Sequence, residues 1–257
     1  MGEKQYDDAV TTLNGIFETL NIDTNGVFVD VGCYRGWWSY AAGFKNFSEI
    51  VMIEPNLSAV NVMRNMERFN DPKFKVHHCA LGEKQSTADF YLYKNKARRS
   101  GLKFRDFKNI KENEHIVQRV DVKTLDQFNL KNVTFVKIDA ECNEINVLIG
   151  AKNTLINNDC TVVIEISEDH DKILALLKEY GYKPVAFVAK SWTYKLNGDL
   201  KFYKNESDHW YFTCGDFKIY NHKTHFRREL KRNFSFNFDK ENPIWGDFVF
   251  QKEQVLK

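Results

Sequence analysis

Val27-Phe28-Val29-Asp30-Val31-Gly32-Cys33-Tyr34-Arg35-Gly36 reads as a buried strand that opens into a glycine-bearing ligand loop. The apolar run Val27-Phe28-Val29 suits a strand covered on both faces, and Gly32 and Gly36 let the backbone turn sharply and approach a ligand closely. A helix is expected from about Trp37. Asp30, at the strand's end, can accept hydrogen bonds from a ligand amine or orient the loop, and it would repel a phosphate. The stretch is no P-loop, because no Gly-Lys-Ser/Thr follows the second glycine. Its Gly-x-x-x-Gly spacing also differs from the Gly-x-Gly-x-x-Gly of a dinucleotide fold. Taken alone, the pattern fits a plain structural turn between strand and helix as well.

A second landmark follows at Ile50-Val51-Met52-Ile53-Glu54-Pro55, another short apolar strand, whose carboxylate lies 24 residues after Asp30. An acid about 20 residues beyond a glycine loop, at the end of the next strand, can chelate the two hydroxyls of a ribose. Pro55 stops the strand and fixes the turn. A strand-end glutamate facing only solvent is the plain alternative.

Further matches are spread along the chain. They are Cys79-Ala80-Leu81-Gly82, Val122-Lys123-Thr124-Leu125-Asp126, and Val136-Lys137-Ile138-Asp139-Ala140-Glu141 continuing through Glu144, Leu148, Gly150 and Ala151. Together with the first two landmarks, they resemble the FkbM-type family of class I S-adenosylmethionine-dependent methyltransferases over roughly residues 10 to 190. The last segment is the most specific, because the family usually shows Lys-Ile-Asp-x-Glu-Gly followed by a helix ending in Leu-x-Gly-Ala. This chain has Cys142 in place of that glycine, and Cys33-Tyr34-Arg35 where the family commonly has Ala-Asn. The resemblance implies a Rossmann-like, doubly wound α/β fold with a mostly parallel sheet, and S-adenosylmethionine as cofactor. It implies site roles too. Asp30, Gly32, Cys33 and Gly36 would hold the methionine part, Glu54 with Pro55 the ribose, and Cys79 with Ala80 the adenine edge. Asp139 and Glu141 would face the methyl group and the acceptor.

The 257 residues, 43% of them hydrophobic, suffice for one large α/β domain with a full core. With 37 basic against 35 acidic residues, the chain as a whole does not look like a nonspecific polyanion binder, so any basic patch is local. The cysteines at 33, 79, 142, 160 and 214 make no Cys-x-x-Cys pair and no zinc-spaced cluster, and their odd number argues against a full disulfide framework. No metal site is expected from this pattern. Neither a signal segment nor a stretch near the length of a membrane span is visible, so the expectation is a soluble protein of the cytoplasm.

Tyr6, Val10, Leu13, Phe17 and Leu20 recur at spacings of four and three, which predicts an amphipathic helix ahead of the first strand. Val62, Met63, Met66 and Phe69 mark a second helix that Asp71-Pro72 breaks. Strand, loop and helix then alternate, the signature of a parallel sheet with helices on both faces and ligands beyond the carboxyl ends of its strands. Asp30, Glu54, Ala80 and Asp139 each follow an apolar run, so four strands are expected to aim residues at one crevice. One helix is expected through Ile145, Leu148, Ile149 and Leu155, and another through Ile173, Leu176 and Leu177 ending at Gly181. Trp192 to Tyr203 is rich in β-formers around Asn197-Gly198, which predicts a hairpin. With Trp210-Tyr211-Phe212 it would give the sheet an antiparallel edge. The division expected is a methyltransferase domain over 1–215 and a basic, aromatic appendage over 216–257, with His222, His225, Arg227, Arg228, Lys231 and Arg232.

Lys94 to Lys111 carries eight Lys or Arg residues against one acid, Asp106. It is either a solvated basic surface or an anion-binding lid, mobile without ligand, in which Arg98 or Arg99 with Ser100 grips a phosphate or carboxylate of the substrate. Methyl transfer from a sulfonium to an oxygen is an in-line displacement in which the enzyme mainly aligns two reactants. A hydroxyl acceptor must also lose its proton, so a carboxylate or imidazole within reach can act as base. Asp139, Glu141, Glu165 and His170 are the candidates, in falling order. A divalent metal between Asp139 and Glu165 would lack a third identifiable ligand. The function expected is O-methylation of a hydroxyl on a sugar, glycan or related small metabolite, with an anionic acceptor suited to the basic segment. Two alternatives stay open. One is a nucleic-acid methyltransferase, supported only by the basic segment and tail. The other is an inactive cofactor-binding scaffold, suggested by Cys142 and the altered first loop.

Overall fold

A computed structural model describes residues 3–94, 97–105, 115–166, 168–189, 192–204, 210–214, 217–220 and 247–253. Its first half runs α1 (Glu3–Leu20), β1 (Val27–Val31), α2 (Trp37–Gly43), β2 (Glu49–Glu54), α3 (Leu57–Arg64), β3 (Phe74–His78), β4 (Ala80–Leu81), β5 (Ser86–Tyr93) and β6 (His115–Lys123). The second half continues β7 (Val133–Ile138), α4 (Glu144–Ile149), α5 (Lys152–Asn157), β8 (Thr161–Glu165), α6 (His170–Glu179), β9 (Tyr182–Ala189), β10 (Trp192–Lys195), β11 (Leu200–Lys204), β12 (Trp210–Cys214), β13 (Phe217–Tyr220) and β14 (Asp247–Lys252).

Every residue of β1 and β7 is buried, which is why neither strand shows the alternation of a half-solvated one. Val27, Val29 and Val31 pack with Val147, Leu155 and Leu177 from α4, α5 and α6 on one face of the sheet. Phe28 stacks on Phe135 on the other face, beside Leu13, Ile16 and Phe17 of α1 and Ala41 and Ala42 of α2. Asn56, in the Ile-Glu-Pro-Asn turn, caps α3 by accepting from Ser58 and Ala59 amides.

The main sheet has the order β10-β9-β14-β8-β7-β1-β2-β3. β3, β2, β1, β7 and β8 run parallel, while β14 is antiparallel to both β8 and β9, and β10 folds back antiparallel on β9. This is the doubly wound, Rossmann-like, mostly parallel arrangement expected. Chain order reverses between β1 and β7, and such a switch point leaves a crevice beyond the carboxyl ends of the strands. Two three-stranded sheets, β4-β6-β5 and β11-β12-β13, complete the described structure.

Several local expectations are corrected. Asn197-Gly198 does not turn a hairpin, because β10 pairs with β9 and β11 pairs with β12, so the dipeptide links two sheets. The antiparallel edge is the β9-β10 pair. A turn signal fixes a local reversal, whereas the neighbouring strand is chosen by where apolar faces bury. The expected appendage over 216–257 is corrected for its last strand: β14 is inserted into the main sheet, with Phe248, Val249 and Phe250 in the core. The basic tail residues from His222 to Arg232 lie outside the described residues. The single helix expected through Leu155 is two, α4 and α5, parted at Gly150, where a β-carbon would overlap the Gly82 carbonyl oxygen. Ala80 belongs to a small sheet, so of the four residues expected at the crevice Asp30, Glu54 and Asp139 come from main-sheet strand ends and Ala80 from β4. Among the described residues no helix is long and apolar enough to cross a membrane. None of the five cysteines forms a disulfide among the described residues.

Candidate active site

Gly32 and Gly36 both adopt φ 72°, and between them they carry the chain from β1 into α2. Gly32 and Cys33 amides donate to the Ile53 carbonyl at 2.9 and 3.2 Å, and the Asp139 amide donates to Val31 at 3.0 Å. The loop is thereby wedged between the ends of β2 and β7. The approach is close enough that a β-carbon on Gly32 would overlap the Asp139 carbonyl oxygen. Gly36 serves packing instead: a β-carbon there would run into Met52 and Phe69.

Beyond these strand ends lies a cavity of about 1090 Å³. Asp30, Gly32, Cys33, Glu54, Pro55, Cys79 and Ala80 line it, as do Asp139, Glu141, Glu165 and His170, and Arg98, Arg99 and Ser100. Every residue nominated from the sequence thus meets at one cavity, except Gly36.

Glu54 is 5% exposed, and its carboxylate receives the Tyr34 amide on Oε2 at 2.7 Å and the Asn56 amide on Oε1 at 2.8 Å. Tyr34 reaches it from a left-handed backbone, φ 49°. Burial pushes the Glu54 carboxyl up to about 7, against the pull of the two amides. Each oxygen keeps a second lone pair, which suits a pair of vicinal hydroxyls. Asp30 orients the loop through α2: its Oδ2 accepts from the Ser39 amide at 3.1 Å and from Ser39 Oγ at 2.6 Å. Its Oδ1 is buried without a partner.

Lys137 lies within apolar β7, its side chain 5% exposed, and its Nζ donates to Asp139 Oδ2 at 2.9 Å. Burial pulls the Lys137 ammonium down, but Asp139, Asp30 and Asp247 outweigh it and leave it above the ordinary lysine value. Glu165 is pushed well above the carboxylate range, first by burial and then by Asp139, Asp247 and Glu141, and it hydrogen-bonds Asp139. Glu165 therefore carries its proton at neutral pH. Asp247, paired across from Glu165 on β14, is raised to about 6 by burial.

The other two candidates are engaged differently. Glu141 Oε2 accepts from Arg105 at 2.5 Å, and burial and Asp139 raise its carboxyl while Arg105 opposes them. His170 opens α6 with its ring 4.4 Å from that of Phe202, and burial lowers its pKa, so the imidazole is neutral at pH 7. Glu141 and Cys142 take φ 51° and 73°, a left-handed turn that explains why a glycine is usual at the second position. Among the described residues no group of three or more His, Cys, Asp or Glu is placed to hold a metal ion.

Sequence reasoning gave no role to Lys137, Arg105, Trp37 or Asp247, nor to the aromatic wall of Phe187, Phe202, Phe212 and Phe248. A signal existed for Lys137, a lone charge inside an apolar strand run. None existed for Asp247, which reaches the cluster only because β14 is inserted beside β8.

The buried carboxyls set a pH dependence. Glu54 and Glu144 each rise to about 7, and Glu165 is raised as well, all chiefly by burial. Between the ordinary carboxylate pKa and these raised values the native state binds more protons than the unfolded chain. Their contribution is therefore full below the unfolded pKa and is lost as pH rises through the folded one. Ligand-free protein is expected to melt several degrees higher near pH 5.5 than near pH 8. Thermal unfolding followed by circular dichroism checks this, and a higher melting temperature at the alkaline end would contradict it.

A family model described as Methyltransferase FkbM domain matches residues 30–184, more than half of the chain. A curated protein from Beauveria bassiana, Methyltransferase 1, is 29% identical over 177 residues, 61% of this chain and 70% of that protein. The solved structure of methyltransferase FkbM from Methylobacillus flagellatus is 19% identical with a TM-score of 0.49, over 72% of this chain and 46% of its own. This chain thus spans under half the length of that protein. Precorrin-6y C5,15-methyltransferase from Geobacter metallireducens is 13% identical with a TM-score of 0.45, over 96% of this chain and 86% of its own. The matched region begins at Asp30 and takes in the cavity wall through His170, leaving out only Phe187, Phe202, Phe212 and Phe248. On that match, the chain belongs to the FkbM family of methyltransferases.

Proposed function

We propose that the chain uses S-adenosylmethionine to methylate a hydroxyl of a sugar, glycan or related small metabolite. The observation that carries this is the placement of Asp139, held by Lys137 Nζ at 2.9 Å, with Glu165 in the wall of the same cavity as the glycine loop and Glu54. The residues fit the cofactor. The side-chain-free Gly32 lets the loop lie against β7, the orphaned Oδ1 of Asp30 suits a cationic amine, and the spare lone pairs of Glu54 suit two ribose hydroxyls. Cys79 and Ala80 would border the adenine.

When bound, the cofactor supplies a methyl group on a sulfonium leaving group. The chain's own task is alignment and proton handling. Lys137 and Glu165 both donate to Asp139, so its carboxylate is oriented from two sides and can take the hydroxyl proton. Arg105 holds Glu141 in the wall beside it.

Calorimetry with S-adenosylhomocysteine tests the cofactor half. Glu54→Ala is expected to weaken binding by about 1.5–3 kcal/mol, roughly ten- to hundredfold, through loss of a charge-assisted pair of hydrogen bonds. Unchanged affinity would remove Glu54 from the site. Mass spectrometry of hydroxyl-bearing acceptors incubated with protein and cofactor tests the other half, and a methyl group found on nitrogen or carbon would refute the oxygen assignment.

A further inference from the structure

The charges lining the cavity are segregated by origin. The acids Asp30, Glu54, Asp139, Glu141, Glu165 and Glu168 come from β1, β2, β7 and β8 and the loops that follow β7 and β8. Apart from Lys137, the Lys and Arg residues in the wall (Lys94, Arg98, Arg99 and Arg105) all come from the connection between β5 and β6. That connection is pinned along its described length. Gly101 bridges to Tyr91, Ser100 Oγ accepts from the Tyr93 amide at 3.1 Å, and the Arg105 amide donates to Tyr93 Oη at 2.8 Å. Two of its cations are used in holding it there, Arg105 on Glu141 and Lys103 on Glu168. Lys96, Asp106, Phe107, Lys108 and Lys111 lie outside the described residues.

Lys94 and Arg98 are different. Among the described residues no acid lies within ion-pair distance of either one, although both line the cavity. The Arg98 guanidinium lies 5.6 Å from the ring centroid of Trp37, the first residue of α2. A cation–π contact at that distance uses no N–H donor, so the guanidinium keeps its donors to form a fork for a carboxylate or phosphate.

We propose that Lys94 and Arg98, with Arg99 beside them, form a subsite for an anionic group, phosphate or carboxylate, carried by the methyl acceptor. This rests on the cofactor and acceptor halves of the cavity assigned above. The nearness of Trp37 to the glycine loop gives the same chemistry a second source, the carboxylate of the cofactor's amino-acid end, and the experiment separates the two.

Protein saturated with S-adenosylhomocysteine is titrated with inorganic pyrophosphate at fixed ionic strength in a calorimeter. Three proteins are compared: wild type, Lys94→Ala/Arg98→Ala, and Lys178→Ala/Lys183→Ala, which removes two exposed charges outside the cavity wall. Saturable binding is expected in the wild type and the control, weakened at least about tenfold in Lys94→Ala/Arg98→Ala. Affinity for S-adenosylhomocysteine is expected to stay within about twofold throughout. No saturable binding in the wild type, or equal losses in both variants, overturns the subsite and leaves a solvated basic surface. If Lys94→Ala/Arg98→Ala instead loses affinity for S-adenosylhomocysteine but not for methylthioadenosine, which lacks the carboxylate, the cations serve the cofactor and the acceptor subsite is refuted. Failure of S-adenosylhomocysteine to bind the wild type is a separate result. It sinks the cofactor reading and the acceptor assignment with it.

Discussion

Asp139→Asn is expected to lower kcat by about 10²-fold while changing affinity for S-adenosylhomocysteine by less than about threefold. Asparagine has the same size and its amide oxygen can still accept from Lys137 Nζ, so the 2.9 Å contact and the end of β7 are retained. The ability to take up a proton is lost, and an amide NH2 that only donates replaces one carboxylate oxygen. Glu165→Gln is the informative partner. Because Glu165 is held protonated, glutamine reproduces its uncharged, hydrogen-bonding state, and a loss of less than about tenfold is expected. Single-turnover kinetics on both variants separates the roles. Near-normal turnover in Asp139→Asn would exclude it as the base, and a larger loss in Glu165→Gln would exchange the two assignments.

Gly32→Ala is expected to cost about 3–5 kcal/mol of stability and to abolish binding of S-adenosylhomocysteine. Two penalties combine there. A left-handed backbone disfavours any β-carbon by roughly 1–2 kcal/mol, and this one would overlap the Asp139 carbonyl oxygen, a backbone atom fixed by the pairing of β7 with β1. The loop or the strand end must move, and either shift displaces Asp139 relative to Glu54. Gly181→Ala supplies the comparison. Gly181 also has positive φ, 85°, but a β-carbon there would meet nothing within 4 Å. Its cost is expected to be the backbone penalty alone, about 1 kcal/mol. Urea unfolding of both variants measures the difference, and equal losses would show that the close approach at Gly32 is not what makes glycine necessary.

The sequence by itself determined those parts whose cause is local. A short, mostly apolar run with no alternation, bounded by turn residues, suits a strand covered on both faces, and Val27–Val31 and Val133–Ile138 are such strands. An acid at the end of such a strand must emerge where the sheet stops, so Asp30, Glu54, Asp139 and Glu165 were legible as crevice residues from position alone. The amphipathic period of α1 and the glycine after α6 were legible for the same reason, since each depends on residues within a few positions of one another. Only the tertiary structure decided which elements became neighbours. Asn197-Gly198 signals a reversal in any chain, but the pairing of β10 with β9 and of β11 with β12 follows from which faces bury together. β14 lies more than 80 residues beyond β8 in the chain, so no local pattern could place Asp247 opposite Glu165. The raised pKa of Glu165 belongs to the same class. It depends on desolvation and on Asp139, Asp247 and Glu141, brought beside Glu165 from the loop after β7 and from β14, and those distances exist only in the folded molecule.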